Sequence, residues 1–131
     1  MILLDTHVLL WLCLEPRRLS AAATTAIRKA LAAGGIAIAS ITLWEVAMMI
    51  RLGRLVPRGT PETWLAELVA RSGVVIREIT PAIATLATQF PDEFPADPAD
   101  RLIAATARSD GALLVTRDAR LRRSRLLRTA W

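Results

Sequence analysis

The sequence predicts an α/β fold in which helices cover both faces of a central, mostly parallel sheet of four to five strands. Short apolar runs alternate along the chain with segments of helical periodicity, and about thirty residues separate successive runs. That spacing is ample for the crossover connections that parallel strands require. No internal repeat, low-complexity tract or linker interrupts the pattern, so residues 1–131 are expected to form a single domain.

Apolar runs mark the expected strands, and the segments between them carry helix-start signals. The strands are predicted at 2–4, 36–39, 74–79 and 112–116, with an edge strand at 126–129. A first helix follows Asp5 and ends near Pro16, and further helices are predicted at 20–34, 40–53 (opening at Ser40 or Thr42), 60–71, 80–90 and 97–109. The last three begin with Thr-Pro, Thr-Pro and Asp-Pro, in which the first residue caps the helix and proline occupies its first turn. The chain from 119 onward is expected to form a short helix or turn.

The composition is that of a well-cored, basic globular protein. Hydrophobic residues make up 53% of the chain and charged residues 22%, and the net charge is +5. Lys29 is the only lysine, and arginine suits bidentate phosphate contact, although such a skew can also reflect genome composition. Cys13 is the only cysteine, which excludes an internal disulfide and fits a reducing cytosol. No run reaches the roughly 18 apolar residues that span a bilayer, so we expect a cytoplasmic protein without a membrane contact.

Four carboxylates lie where an apolar run gives way to a helix start or turn: Asp5, Glu45, Asp100 and Asp118. In a parallel sheet the carboxyl ends of the strands share one edge with the helix N-termini, so these side chains are expected to converge there. Converging anions repel one another unless a cation lies among them, and their pKa values should be raised without it. Mg²⁺ and Mn²⁺ suit such an all-oxygen set, which points to a metal site facing a polyanion.

Each of these acids also has a local explanation that needs no shared site. Thr42 to Glu45 fits a capping box, in which Glu45 would bond back to the backbone amide of Thr42. Asp5 and Asp118 could cap a helix or a turn, and Asp100 at a helix start would gain about 0.3–1 kcal/mol from the helix dipole. Glu62 serves as an internal control, because it lies near a helix start that no strand precedes and should stay outside the cluster.

Other chemistries lack the residues that they require. His7 is the only histidine and Cys13 the only cysteine, which excludes an ordinary zinc site and leaves Ser-His-Asp or Cys-His catalysis without support. The chain has no phosphate-binding G-x-x-x-x-G-K-[ST] and no dinucleotide-binding G-x-G-x-x-G. A phosphoaspartate receiver would need a lysine at a late strand end, where none is present. We expect His7 to lie at the rim of the site and not to act as the base.

An arginine-dense segment follows the strand predicted at 112–116. Arg117, Arg120, Arg122 and Arg123 are candidate RNA contacts, because a nuclease must draw phosphates toward ligands that are themselves negative. A solvated face or a surface for an acidic partner protein explains the same charges. The predicted helix at 40–53 is apolar over more than one face, which suits either the core or a subunit interface.

Four segments together resemble the PIN domain, and more narrowly the VapC-type toxins of bacterial type II toxin–antitoxin pairs. They are residues 1–7 (MILLDTH), 40–45 (SITLWE), 97–107 (DPADRLIAATA) and 114–118 (LVTRD). The resemblance extends over the whole chain, with the segments in the expected order. Any one segment alone would be weak evidence for the family. Of the two acids in Asp-Pro-Ala-Asp, the resemblance selects Asp100 over Asp97, because Asp100 directly precedes Arg-Leu-Ile-Ala.

The resemblance implies a PIN-like three-layer fold and an endoribonuclease that depends on Mg²⁺ or Mn²⁺. It implies a homodimer neutralised by a VapB-like antitoxin. Asp5, Asp100 and Asp118 would hold the metal, and Glu45 would orient the attacking water or act as its base. The alternative is a catalytically silent RNA- or protein-binding module of the same fold.

Overall fold

A five-stranded sheet forms the centre of the protein in a computed structural model that describes residues 1–131. The strands are β1 (Ile2–Leu4), β2 (Ile36–Ala39), β3 (Val75–Arg77), β4 (Leu113–Val115) and β5 (Thr129–Ala130). All neighbouring pairs are parallel, in the order β3-β2-β1-β4-β5. The predicted α/β class is therefore confirmed, with five strands and a wholly parallel sheet.

Seven α-helices connect the strands, and most begin where the sequence predicts. They are α1 (Thr6–Leu14), α2 (Ala21–Ala33), α3 (Ile41–Arg51), α4 (Pro61–Ser72), α5 (Pro81–Ala87), α6 (Pro98–Ser109) and α7 (Ala119–Arg122), with a 3₁₀ turn at Pro16–Arg18. Thr60, Thr80 and Asp97 each accept a backbone N–H bond as N-caps, and proline follows each of them. Gly35 lies just beyond α2 at φ +85°, a left-handed conformation that favours glycine.

Three predicted boundaries were wrong by a few residues. β3 covers only 75–77 and β5 only 129–130, because each is an edge strand that pairs on one side and ends where that pairing ends. The helix predicted to run to residue 90 ends at Ala87. Phe90 and Phe94 beyond it are buried and stack on each other at 4.2 Å between ring centroids, so they anchor a loop to the core.

The sheet separates two buried apolar clusters, which gives the molecule three layers. Alternate strand residues face opposite sides, as the twofold period of a strand requires. Leu3 and Leu114 pack against α5 and α6 on one face, and Leu4 and Val115 pack against the helices α1 to α4 on the other. Strands that are buried on both faces consist of continuous apolar runs, and these runs allowed the strands to be predicted from the sequence.

The topology places the candidate site beside β1. The chain moves from β1 to β2 and β3 on one side and then crosses to β4 on the other, so the sheet has a switch point between β1 and β4. Leu4 pairs with both Ile38 and Val115, so these three strands end at one level. None of the helices is long and apolar enough to cross a bilayer.

Candidate acidic active site

Asp5 lies at the carboxyl end of β1, where two neighbours hold its carboxylate. Its backbone N–H donates to the carbonyl of Val115 (3.0 Å), which extends the β1–β4 pairing by one bond. One carboxylate oxygen accepts the backbone N–H of Thr6 (2.8 Å), and the other accepts the hydroxyl of buried Thr116 (2.6 Å). Burial raises the pKa of Asp5, and the bonds from Thr116 and Thr6 partly offset that effect.

Glu45 reaches the same place from the second turn of α3. The hydroxyl of Thr6 donates to Glu45 Oε1 at 2.6 Å. The Oγ1 atoms of Thr6 and Thr42 lie 3.0 Å apart, and because Thr6 gives its proton to Glu45, Thr42 must donate to Thr6. Burial raises the pKa of Glu45, and the hydrogen bond from Thr6 lowers it.

The capping-box interpretation of Thr42 and Glu45 was wrong. Helix α3 begins one residue before Thr42, with Ser40 as the N-cap residue, so Thr42 lies inside the helix. Its hydroxyl is fully buried against Thr6, which is 36 positions away in sequence. A tertiary contact has therefore replaced the local bond that the pattern predicted.

Asp100 lies in the first turn of α6 and carries a strongly perturbed carboxylate. Its side chain is only 14% exposed. Burial raises its pKa from 3.8 to about 7, and Asp97, Asp5, Asp118 and Glu45 add electrostatic repulsion in that order. The pKa of Asp100 is therefore raised as expected, with burial as the largest single cause and repulsion from the four acids adding to it.

Asp118 does not show the expected rise in pKa, because it forms an ion pair with a neighbouring arginine. Arg120 donates through Nε (3.3 Å) and a terminal nitrogen (2.8 Å) to the two oxygens of Asp118. The same terminal nitrogen lies 3.4 Å from Asp100 Oδ2. Hydrogen bonding from Arg120 lowers the pKa of Asp118, and Asp118 also caps α7 through the backbone N–H of Arg120 (2.8 Å).

These side chains line one open cleft of about 570 Å³ at the carboxyl ends of β1, β2 and β4. The lining residues are Asp5, Thr6, His7, Val8, Trp11, Arg18, Glu45, Asp97, Asp100, Arg117, Asp118 and Arg120. All four predicted acids are among them, and His7 is exposed at the rim as expected. Glu62 is exposed in the first turn of α4 and is not part of the lining.

The four candidate RNA-contacting arginines divide into two groups. Arg117 and Arg120 line the acidic cleft. Arg122 and Arg123 do not, and they instead line a separate cleft beside β5. Only the first pair therefore stands next to the carboxylates.

Several residues that line the cleft or hold its acids were missed by sequence reasoning. Thr6 and Thr116 hold Asp5 and Glu45, and a threonine within two residues of an acid was a signal that could have been used. Arg18 follows the first helix and has no such signal. Its guanidinium stacks 4.6 Å from the ring centroid of Trp11, and Arg117 lies 5.8 Å from the same ring. The buried Trp11 ring thus carries two cations on one wall of the cleft.

The donor set suits a hard divalent cation. As the side chains stand, no group of three or more His, Cys, Asp or Glu residues could hold a metal ion, so binding requires side-chain adjustment. The donors available are carboxylate oxygens, which is the chemistry that Mg²⁺ and Mn²⁺ prefer. Burial and the neighbouring acids raise the pKa of Asp100 to about 7. A bound cation would lower it again, because a positive charge favours the ionised carboxylate.

Comparison of the sequence with known proteins identifies its family. The family model described as "PIN domain" matches residues 2–125. Ribonuclease VapC22 of Mycobacterium tuberculosis is 42% identical over 132 residues, which cover 99% of this chain and 98% of that protein.

Solved structures show the same fold. The VapBC2 complex of Rickettsia felis bound to promoter DNA matches with a TM-score of 0.73 at 19% identity, over 98% of this chain and 97% of that one. DNA-bound VapBC from Salmonella typhimurium matches with a TM-score of 0.71 at 22% identity, with the same coverage. Given the family model and the full-length relative, this chain belongs to the PIN-domain family and, within it, to the VapC-type proteins.

Proposed function

We propose that this protein is a Mg²⁺- or Mn²⁺-dependent endoribonuclease and the toxin of a toxin–antitoxin pair. The relative that it matches over nearly its full length is named a ribonuclease, and its structural neighbours are complexes named VapBC. The acidic cleft beside β1 supplies the chemistry that such an activity needs. The observation that carries the proposal is the state of Asp100, whose carboxyl is buried among four other carboxylates with a pKa of about 7.

The one cationic partner of Asp100 is exposed Arg120 at 3.4 Å, and this long contact does not offset the effects of burial and repulsion. A site built only for stability would pair or replace such a group, because an uncompensated buried charge is strongly destabilising. Perturbed carboxylates in a cleft are instead typical of catalytic and metal sites. Asp5, Asp100 and Asp118 are the proposed ligands, since each presents an oxygen to the cleft from a strand end or a helix start.

When bound, the divalent ion supplies Lewis-acid activation of water and offsets the charge that builds on the scissile phosphate. Glu45 is the proposed general base. Thr6 fixes one of its oxygens, which leaves the other to take a proton from the attacking water. Its raised pKa moves it toward the range in which a base is effective near neutral pH.

The cationic wall of the cleft is the proposed route for the RNA backbone. Arg18 and Arg117 stand over Trp11, where their planar guanidinium groups can contact phosphate oxygens. Arg117 and Arg120 are therefore better candidates for RNA contact than Arg122 and Arg123, which lie outside the cleft. The target RNA sequence is not specified by these contacts.

A VapB-like antitoxin and a second copy of the chain are the proposed protein partners, in a bacterial cytoplasm. Two structural neighbours carry the name VapBC, and another is named a toxin–antitoxin complex from Klebsiella pneumoniae. Trp44 is 58% exposed on α3, and Leu52 at the end of that helix is 57% exposed. Exposed apolar side chains of this size suit a protein interface, and α3 is therefore the helix on which we would look for one.

Cleavage of total RNA by the purified protein tests the proposal. We expect cleavage with Mg²⁺ or Mn²⁺ and none with EDTA, and none with Asp5→Asn or Asp100→Asn protein that remains folded. Glu62→Gln removes a carboxylate from a helix start outside the cleft and should cleave as the wild type does. RNA binding without cleavage under every condition would instead support the silent binding module.

A further inference from the structure

Arg120 is the only side chain that forms ion pairs with the cleft carboxylates. It contacts Asp118 at 2.8 Å and Asp100 at 3.4 Å through the same terminal nitrogen. Asp5 and Glu45 are held differently, by hydroxyl groups of Thr116 and Thr6. Neutral hydroxyl donors can stay in place when a cation arrives, whereas a guanidinium carries the same sign of charge as the cation and is repelled by it.

We propose that Arg120 is an internal counter-cation of the acidic cleft, which a divalent ion displaces from Asp100 and Asp118 and which then turns to a phosphate of the RNA. The inference rests on the proposed function, because it assigns the order in which the same cleft takes its cation and its substrate. It makes Arg120 a group that couples ion binding to substrate binding.

The position of Arg120 allows this movement. Its side chain is 57% exposed, so few packing contacts oppose a change of rotamer. Its contact with Asp100 is long for a charged hydrogen bond, at 3.4 Å. Asp118 would still accept the backbone N–H of Arg120 after the side chain leaves, so the start of α7 does not depend on the ion pair.

A second bidentate pair in the molecule shows what a structural ion pair looks like here. Arg77 donates to both oxygens of Asp110 at 2.7 and 2.9 Å and ties β3 to the end of α6. No other acid enters that pair, and neither residue lines the cleft. Arg120 instead lies between two acids of the cleft with one weak contact and one strong contact, as expected of a charge that balances a site.

Titration of Mg²⁺ into the metal-free protein, followed by isothermal calorimetry, tests the competition. Arg120→Ala should bind Mg²⁺ roughly fivefold more tightly than the wild type, which corresponds to about 1 kcal/mol and to the strength of an exposed ion pair. Arg122→Ala is the matched control, because it removes the same charge from the same helix without touching an acid. Its affinity should stay within about twofold of the wild-type value. Arg120→Lys keeps the charge but loses the planar guanidinium. Its Mg²⁺ affinity should lie between that of the wild type and that of Arg120→Ala.

Binding of an RNA oligonucleotide tests the second step. It is measured in proteins that also carry Glu45→Gln, because loss of the proposed general base slows hydrolysis of the oligonucleotide by water. Mg²⁺ should strengthen oligonucleotide binding by a larger factor when Arg120 is present than in Arg120→Ala, because only the former has a guanidinium to release. An equal factor in both proteins would refute the transfer to phosphate.

The remaining outcomes separate this inference from the proposed function. Equal Mg²⁺ affinity in the wild type and Arg120→Ala overturns the role of Arg120 alone. An equal gain in Arg122→Ala also overturns it, since general electrostatics would then suffice. Absence of Mg²⁺ binding in all variants overturns both proposals. Tighter Mg²⁺ binding in Arg120→Ala without RNA cleavage by the wild type supports the counter-cation and refutes the nuclease.

Discussion

Asp100→Asn should stabilise the metal-free protein while removing its activity. At pH 8 the wild-type carboxylate is ionised in the fold, although burial and four neighbouring acids oppose that charge. A folded-state pKa above the unfolded value means that the native state binds the proton more tightly, so stability falls as pH rises from about 4 through about 7. Asparagine has nearly the same shape and no charge, and removes this penalty.

The magnitude follows from competing terms. The difference between 3.8 and about 7 corresponds to at most about 4 kcal/mol, at 1.36 kcal/mol for each pKa unit, and solvent screening at the open cleft reduces it to about half. Losses of roughly 0.3–1 kcal/mol from the helix dipole and less than 1 kcal/mol from the Arg120 contact oppose it. A net gain of about 1 kcal/mol is expected, or roughly 3–5 °C in Tm for a domain of this size.

Thermal melts in EDTA at pH 8 and pH 5 measure this gain. At pH 5 Asp100 is protonated in the native wild type but still ionised in the unfolded chain, so the advantage of asparagine should fall to less than half of its value at pH 8. Glu62→Gln, in the first turn of α4, loses only a favourable helix-dipole charge and should be slightly destabilising at pH 8. A lower Tm for Asp100→Asn than for wild type at pH 8, or a gain that does not change with pH, would refute the reasoning.

Three other substitutions test the remaining parts of the site. Glu45→Gln should lower the cleavage rate by roughly 10²–10⁴ while Mg²⁺ still raises the Tm; loss of that Tm rise would make Glu45 a ligand and not a base. Thr6→Val leaves Thr42 and Glu45 without their shared partner, so urea melts should show a loss of about 1–3 kcal/mol, which Thr6→Ser should largely restore. Arg117→Ala should weaken binding of a 2′-O-methyl RNA and lower its salt slope by about 1, whereas Arg28→Ala, on α2 outside the cleft, should leave the slope unchanged.

Much of the fold could be predicted from the sequence because its central strands are buried on both faces. Residues 2–4 and 36–39 appear as uninterrupted apolar runs, and their boundaries were predicted correctly. The edge strands β3 and β5 have a neighbour on one side only, so pairing and not composition decides where they end. Their bounds were accordingly the least accurate.

The site was predictable to the extent that topology determines it. Parallel strands that end at one level bring acids following β1 and β4 together, whatever their exact contacts. The partner of each acid depended on side-chain packing instead. Thr42 bonds to a residue 36 positions away and not to its helical neighbour, and nothing in the sequence distinguishes Arg120 from the other arginines that follow β4. The lowered pKa of Asp118 was missed for that reason.

The acids of the cleft have two kinds of partner. One kind fixes the orientation of a carboxylate, and the other neutralises its charge. Buried hydroxyls orient Asp5 and Glu45 without changing the net charge, whereas an exposed guanidinium neutralises Asp118 without being locked in place. Orientation of the carboxylates affects the chemical step, whereas their charge affects Mg²⁺ binding. Removal of an orienting group and removal of a neutralising group should therefore change the kinetics in different ways. Loss of Thr6 should lower the rate at saturating Mg²⁺, while loss of Arg120 should change the Mg²⁺ concentration at which that rate is reached. A site with only one kind of partner would show both effects together.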